Sequence, residues 1–459
     1  MNIYETLYEL RLPAKAVPGQ TYTDALQERI LHAARILSQL DDRMFSSSFY
    51  ARLHEIIEKG YTENNFLIEC AKSFANGDIE NAKTIFDASI ESTAKVYFDL
   101  GTNSLMTDGL YRLRVANGFE PLRKELFHVP EEKKNVCPEN RFSPKANPCL
   151  YLASSTNVAW LESKMPLKFY ISRFWQREIT IGWKILFLIP PQNIYLKLFS
   201  EAALYNGREG QENVLLLYFQ QLPLVIACSF VARPEEKICD GEKTYLIPEY
   251  QIPQLLMSWI KENPDSKEVK GIAYYSSAQY ADYQRCVGFN VVLPVFEFGD
   301  NGYCRILQKA FIMTKPKLVD MSTYINAVNH AGEKYLSEYD LNFDKIDVPN
   351  WDTLKAATLT IKYFITREFF SKEQKDDGEM VYVLLMSIRS TFRLLKMISF
   401  KDIHGNSMVT LDNAVCQLSD ALDHLLDSIT QISCTEGAVG EEQFRERFDY
   451  IEGVDLSDA

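Results

Sequence analysis

The spacing at which hydrophobic residues recur changes along the chain, and in the first part it is the spacing of helices. Between about residues 22 and 100, apolar residues recur every three or four positions, which predicts amphipathic helices. The segment TDALQERILHAARILSQL opens with a Thr-Asp cap signal, a common start of a helix. The segment NAKTIFDASIESTAKVYFDLG ends at Gly101, which predicts a helix that stops at a glycine C-cap.

The period changes near Met106. From there to Pro316, β-branched and aromatic runs lie between Pro, Gly and Asn residues, which predicts short strands. Examples are EITIGWKILFLI, LPLVIACSFVA and EVKGIAYYSS. One predicted helix, IPQLLMSWIKEN, interrupts these strands and has Pro253 in its first turn, where proline is well tolerated. The segment PVFEFGDNGYCRILQKAFI predicts a hairpin with its turn at residues 299–302.

After Pro316 the helical period returns. Three segments have the lengths and spacing of bundle helices, namely WDTLKAATLTIKYFITREFF, GEMVYVLLMSIRSTFRLLKMI and LDNAVCQLSDALDHLLDSITQI. The tail from Thr435 is acidic and has few apolar residues to anchor it. We therefore predict an α+β protein with an N-terminal helical region (1–105), a central α+β domain (106–316), a C-terminal helical bundle (317–434) and an acidic tail (435–459).

Composition and charge narrow the function classes. The net charge is −13 and the pI is near 5.2, with no concentrated basic stripe, so we do not expect a nucleic-acid partner. Nine cysteines form no CxxC pair, which is typical of reduced thiols in a cytoplasmic protein. No apolar run reaches the roughly 18 residues of a membrane span, so we expect no membrane partner. Phosphate-loop, HExxH and GxSxG motifs are absent from the sequence, and we predict no metal site.

Polar residues on or beside the predicted strands of the central domain are the candidates for chemistry. Arg112 and Arg114 alternate along GLYRLRVANG and so share one face of a strand. The other candidates are Arg141 in NRFSP, Tyr151 in CLYLASS, Glu162 in AWLE, and Ser276 and Ser277 at the end of GIAYYSS. Arginines bind phosphate oxygens in a bidentate way, and a lone glutamate stabilises a developing positive charge. These residue types fit the cleavage of a glycosidic bond in a dinucleotide with a cationic leaving group.

The order of the motifs resembles the RES domain, over about residues 106–316. The motifs are LYRLR, then LFHVPEEKK, then NRFSP, CLYLASS and AWLE, and finally YQIPQLLMSWIKEN and GIAYYSS. The resemblance implies an ADP-ribosyltransferase-like split β-sheet with a cleft for NAD as the substrate and no metal. It also implies a toxin that consumes NAD or transfers its ADP-ribose, commonly paired with an antitoxin.

The resemblance also implies a role for each candidate residue. Arg112 and Arg141 would hold the NAD phosphates or nearby groups, and Tyr151 would pack at the nicotinamide-ribose end. Glu162 would stabilise the oxocarbenium-like transition state as nicotinamide leaves. Ser276 matches the serine of the family.

Several alternatives stay open at this stage. Ser277 replaces Ser276 if the alignment shifts by one residue, and Arg114 could take the phosphate role of Arg112. The acceptor of the ADP-ribose is water, phosphate or a protein side chain. The flanking helices serve as a scaffold or homo-oligomer interface, or they cover the NAD cleft until a trigger or partner releases them. Outside the enzyme class, the chain could be a non-catalytic nucleotide sensor or a structural scaffold.

Overall fold

The computed structural model describes residues 1–320, and within that range it does not describe residues 2, 42, 44, 103–108, 155–157, 160–161, 164–165, 167, 192–193, 195–206, 240–241, 263–268 and 276–288. Ser276 and Ser277 therefore lie outside the described residues. So do the acidic tail (435–459) and all but the first four residues of the predicted C-terminal bundle (317–434).

Helices dominate the N-terminal part of the chain, as predicted. They are α1 (Ile3–Glu9), α2 (Tyr22–Leu37), α3 (Ser47–Gly60), α4 (Phe66–Ala75) and α5 (Ile79–Ile90). Four of them begin at a side-chain N-cap, formed by Thr21, Ser46, Asn65 and Asp78. Each cap oxygen accepts a hydrogen bond from a backbone N–H of the first turn, which satisfies a donor that the helix leaves unpaired.

Nine strands of the described chain form one mixed sheet, and this confirms the α+β class. They are β1 (Tyr97–Asp99), β2 (Leu110–Val115), β3 (Cys149–Ala153), β4 (Lys168–Gln176), β5 (Lys184–Leu188), β8 (Val269–Tyr274), β9 (Asn290–Pro294), β10 (Phe311–Met313) and β11 (Lys317–Asp320). The order is β1-β5-β8-β9-β3-β2-β4-β10, and β11 also pairs with β4. Strands β5 and β8 are parallel, and the other pairs are antiparallel.

The remaining described elements lie between these strands. They are α6 (Gly207–Cys228), a two-stranded ribbon of β6 (Glu235–Cys239) and β7 (Glu242–Leu246), α7 (Gln251–Glu262) and α8 (Arg305–Ala310). The predicted helix IPQLLMSWIKEN is confirmed as α7, with Pro253 in its first turn. The runs around Arg112, Tyr151 and Gly271 are confirmed as β2, β3 and β8.

Helix α6 is buried between the N-terminal helices and the sheet, and it joins them in one core. Its Gln221 side chain accepts a hydrogen bond from Val96 N at 3.0 Å and donates one to Phe187 O at 3.3 Å. Pro223 has no N–H, so the Phe219 carbonyl loses the partner it would have in a regular helix. The Tyr61 hydroxyl of the N-terminal region donates to that carbonyl instead.

The prediction of a strand at LPLVIACSFVA is wrong, because residues 222–228 form the last turns of α6. The residues of this run are buried on every side of the helix, so the sequence carries no amphipathic period. A short apolar run rich in β-branched residues then resembles a buried strand. Only Phe230, beyond the helix, makes a β-bridge, and its partner is Ala14.

Two further predictions of local structure are wrong. The helix predicted to end at Gly101 ends at Ile90, because residues 97–99 pair with β5 as strand β1. The hairpin predicted around residues 299–302 is also wrong. A turn is present there, with Gly302 N donating to Gly299 O at 2.9 Å, but α8 follows it, and β9 and β10 pair with different strands.

Gly101 is required by close packing rather than by a helix end. A Cβ at this position would lie 2.6 Å from the N and 2.8 Å from the Cα of Ile181, and backbone atoms cannot move aside as a side chain does. We predict that Gly101→Ala lowers the free energy of unfolding by about 1–3 kcal/mol, measured by urea denaturation. Gly60→Ala is the control. A Cβ at Gly60 meets nothing within 4 Å, and alanine in place of glycine within a helix is well tolerated. Equal stability of the two variants would contradict the prediction.

Candidate functional site

The candidate site is a cavity of about 1540 Å³ at the point where the sheet divides. Strands β2 and β3 share a single pair of partner residues, Tyr111 and Ala153. Residues of both strands beyond this pair, among them Arg112 and Tyr151, line the cavity. Because the cavity lies in the gap between the strands, successive residues of one strand contact it although they face opposite sides of the sheet.

One row of residues crosses the sheet along the cavity. Ala153 is opposite Tyr111 on one side and Asn290 on the other, and Asn290 is opposite Tyr274. Residues directly opposite each other in neighbouring strands present their side chains to the same face. All four line the cavity. The sheet therefore contributes two tyrosines and an amide to this wall.

Arg112 is a half-buried cation in this cavity, with one end of its guanidinium inaccessible to solvent. Its Nη1 is buried and has no hydrogen-bond partner within the described part of the chain. Burial, and then the charge of Arg114, lower the pKa of Arg112 to about 10, which leaves the guanidinium charged at neutral pH. A buried charge with an unsatisfied donor is unfavourable, so the arrangement is one that an anionic ligand would stabilise.

Arg141 lines the same cavity, but part of its guanidinium serves the fold. Its Nη1 donates to Cys228 O at 3.1 Å and its Nη2 donates to Phe230 O at 2.8 Å. The guanidinium also lies over the Tyr250 ring, at 5.1 Å from the centroid. Arg141 thus fixes the chain that follows α6 and leaves its remaining N–H groups for other partners.

Glu162 and the tyrosines around it form the polar part of the site. The Asn290 Nδ2 donates to Glu162 Oε1 at 3.1 Å, which orients the carboxylate. Burial first, and also the negative charge of Glu162, raise the pKa of Tyr274 and of Tyr250, so both phenols stay neutral. The Tyr151 hydroxyl hydrogen-bonds Ser143 Oγ at 3.0 Å, and burial raises its pKa as well.

The structure separates the two arginines that the sequence places on one strand face. Arg114 is 51% exposed, lies 3.9 Å from Glu125 as an ion pair and is not among the residues that line the cavity. The geometry favours Arg112 over Arg114 for contact with a ligand. Of the predicted site residues, Arg112, Arg141, Tyr151 and Glu162 line one cavity, and Ser276 and Ser277 are outside the described residues.

Sequence analysis missed residues on both sides of the cavity. On the sheet side these are Asn290, Tyr274 and Tyr250. Asn290 is the one polar residue in the apolar run FNVVLPV, a signal that could have marked it. On the other side the N-terminal region supplies a wall that includes Glu9, Arg11, Lys15, Glu28, Arg29 and His32. Glu28, Arg29 and His32 have the spacing of an ordinary solvent-facing surface of α2, so the sequence carried no signal for them.

The described residues also bear on metal binding, membrane crossing and thiol reactivity. No group of three or more His, Cys, Asp or Glu side chains with the geometry of a metal site occurs in the described ranges. None of the helices of the described chain has the length and apolar content that crossing a membrane requires. Burial raises the pKa of Cys70, Cys149 and Cys228 to about 12, so these thiols are unreactive.

Comparison with known proteins gives one similarity to a toxin. The chain is 27% identical over 308 residues to a protein of Bacillus subtilis (strain 168) named "Putative toxin YopC". The match covers 64% of this chain and 63% of that protein, so the chain spans less than two thirds of the relative's length. No protein-family model matches the chain, and no solved structure matches it. The resemblance to the RES domain therefore stays a prediction.

The burial of Arg112 has a measurable effect on stability. The pKa in the folded state lies below the ordinary value of 12.5, so the folded state disfavours the charged form at every pH below about 10. We predict that Arg112→Met raises the free energy of unfolding by about 1–3 kcal/mol at neutral pH, measured by urea denaturation without ligand.

Arg114→Met is the matched control, because it removes the same charge from an exposed position of the same strand. We expect it to change stability by less than about 0.5 kcal/mol. If Arg112→Met instead destabilised the protein by more than its control, the guanidinium would be satisfied in the fold and not held for a ligand.

Proposed function

We propose that this chain is a toxin that consumes NAD by cleaving its nicotinamide–ribose bond. The observation that carries the proposal is that Arg112 and Glu162 line one cavity. Arg112 is a cation with a buried, unsatisfied donor suited to phosphate, and Glu162 is a carboxylate held in place by Asn290. The similarity to a protein named as a toxin supports the biological class, and the order of the RES-like motifs supports the choice of NAD.

The size of the cavity is consistent with a dinucleotide. Sites for small molecules have volumes of about 300–1,000 Å³, and this cavity, at about 1540 Å³, is larger. Its walls combine cations with the aromatic rings of Tyr151, Tyr250 and Tyr274. Cations match the diphosphate of NAD, and aromatic rings match its bases.

Glu162 would act on the reacting ribose. As the bond between ribose C1′ and the pyridinium nitrogen breaks, its electron pair goes to nicotinamide, which leaves neutral. Positive charge then develops on C1′ and the ring oxygen. A carboxylate already oriented by Asn290 stabilises that charge without reorganising during the reaction. The acceptor that then forms a bond to C1′ is water, phosphate or a protein side chain.

Arg112 would act on the phosphates. A guanidinium donates in a fork that matches phosphate oxygens, and binding an anion satisfies the buried Nη1. Arg141, fixed by two backbone carbonyls, presents its remaining donors to the same cavity. Binding energy from the phosphates then positions the ribose against Glu162, which lowers the entropic part of the barrier.

A toxin of this kind would act in the cytoplasm, where NAD is available, and its host would need to restrain it. We propose an antitoxin or another protein partner for that role, and no nucleic acid. The mechanism uses no metal. The helical bundle that the sequence predicts after Pro316, outside the described residues, is a candidate for such restraint.

We predict that Glu162→Gln lowers nicotinamide release from NAD by at least about a hundred-fold without loss of folding. Release is measured on the purified full chain, with and without inorganic phosphate, because phosphate dependence identifies the acceptor. The amide keeps the size of the side chain and its hydrogen bonding but removes the negative charge that stabilises the oxocarbenium-like state.

Glu131→Gln is the control, since Glu131 is half exposed, pairs only loosely with Lys134 at 3.6 Å and is not in the cavity lining. We expect its nicotinamide release to equal that of the wild type. Full activity in Glu162→Gln would remove Glu162 from the mechanism. NAD that raises the melting temperature while no nicotinamide is released would support a nucleotide sensor instead.

A further inference from the structure

The N-terminal region is fixed to the wall of the cavity by hydrogen bonds along its length. Ala14 pairs with the chain after α6, through Ala14 N to Ser229 O at 3.2 Å and Val231 N to Ala14 O at 2.9 Å. Further along, the Arg233 guanidinium donates to Val17 O at 3.3 Å and to Gln20 O at 3.0 Å. Backbone pairing of this kind marks a permanent part of the structure and not a cover that opens easily.

Arg233 is held in turn by a buried carboxylate. Arg233 Nε lies 3.3 Å from Glu249 Oε1, and the Glu249 side chain is only 1% exposed. Helix α2 is attached at its start as well, where the Tyr22 hydroxyl donates to Ala227 O at 3.0 Å. The helix therefore presents its side chains to the cavity from a fixed position.

Arg29 lies on the face of α2 that lines the cavity. Its Nη2 donates to Arg11 O at 2.7 Å, and its Nε is buried with no hydrogen-bond partner in the part of the chain that the structure describes. Burial first, and then the charge of Arg11, lower the pKa of Arg29, and Glu9 opposes this shift. Arg29 is thus a second cation of this cavity, half-buried and with a buried donor that is unsatisfied within the described residues.

The charges around Arg29 leave the wall positive. Arg11, Lys15 and Arg29 line it together with the two carboxylates of Glu9 and Glu28. Glu28 is engaged by the Gln20 side chain at 2.7 Å. Burial and the neighbouring Arg29 lower the pKa of His32, so its ring is neutral at pH 7 and adds no positive charge.

We propose that Arg29 is an anion-binding residue of this cavity and that the N-terminal region is a permanent wall of the ligand site. The anion is a phosphate group of a diphosphate-containing ligand. The diphosphate contacts Arg112 of the sheet and Arg29 of α2. The inference rests on the proposed function in one respect only, the choice of NAD as the ligand. The two walls belong to different regions of the chain, so the central α+β region alone makes an incomplete site.

The experiment compares Arg29→Gln with Arg35→Gln in the full chain. Arg35 is on the same helix and carries the same charge, but it is exposed and outside the cavity lining. Three probes are titrated by calorimetry: NAD, inorganic pyrophosphate and nicotinamide riboside, which has no phosphate. We expect Arg29→Gln to weaken NAD and pyrophosphate about ten- to a hundred-fold and to leave nicotinamide riboside unchanged. Arg35→Gln should bind all three as the wild type does.

The same titrations separate a binding role from a structural one. Equal weakening of all three probes would mean that Arg29 only supports the fold, and unchanged pyrophosphate and NAD binding would remove it from the site. Either result overturns the inference, as does a wild type that binds no pyrophosphate. Arg29→Lys provides a second test that does not depend on the folding of the glutamine variant. It keeps the positive charge at this position but lacks the Nε donor. We expect it to bind pyrophosphate with intermediate affinity.

Failure of this inference and failure of the proposed function give different results. If the wild type binds pyrophosphate through Arg29 but releases no nicotinamide from NAD, the anion site stands and NAD cleavage fails. If nicotinamide is released and its KM for NAD is the same in Arg29→Gln, NAD cleavage stands and the role of Arg29 fails. A rise in KM with an unchanged kcat would support Arg29 as a binding residue.

Discussion

The structure depends on the burial of α6, an apolar helix enclosed on every side from Gln221 to its end at Cys228. Its side chains from Leu215 to Ala227 are almost all inaccessible to solvent, so neither the N-terminal helices nor the sheet has a complete core without it. The polar groups it carries inward are all used. Gln221 bonds the backbone of Val96 and Phe187, and the Tyr218 hydroxyl donates to Ile189 O at 3.0 Å. Burial of so many apolar groups is stable because the few polar ones are satisfied.

The same helix sets the geometry of the cavity. The chain leaves α6 at Cys228, where Arg141 binds two carbonyls in succession, and it pairs at once with Ala14. The wall that carries Arg29 is therefore held through the last turn of α6. A change in this turn would move the N-terminal wall relative to β2 and β3. Stability and site geometry are therefore coupled through a helix that does not itself line the cavity.

Local patterns in the sequence predicted the α+β class, the N-terminal helices, α7 and the strands that carry Arg112 and Tyr151. These elements have a clear hydrophobic period or clear turn residues, and both signals depend only on residues close together in the sequence. The sequence did not reveal α6, because its last two turns are buried all round and have no polar face to mark them. It did not reveal Arg29 either. That arginine has the spacing of a surface residue, and contacts between residues more than two hundred positions apart, such as Ala14 with Phe230 and Tyr22 with Ala227, hold its helix at the cavity.

Two half-buried cations in one cavity, each with a buried and unsatisfied donor, are unfavourable for the folded protein taken alone. Burial lowers the pKa of both Arg112 and Arg29, and each retains an unsatisfied donor within the described structure. The large shared core offsets this cost. An anion that contacts both arginines removes the cost on the sheet and on α2 at once, so binding would also strengthen the attachment of the N-terminal region. Ligand affinity and the rigidity of that wall are then linked, since whatever loosens α2 from the sheet must weaken the binding of the anion by the same free energy.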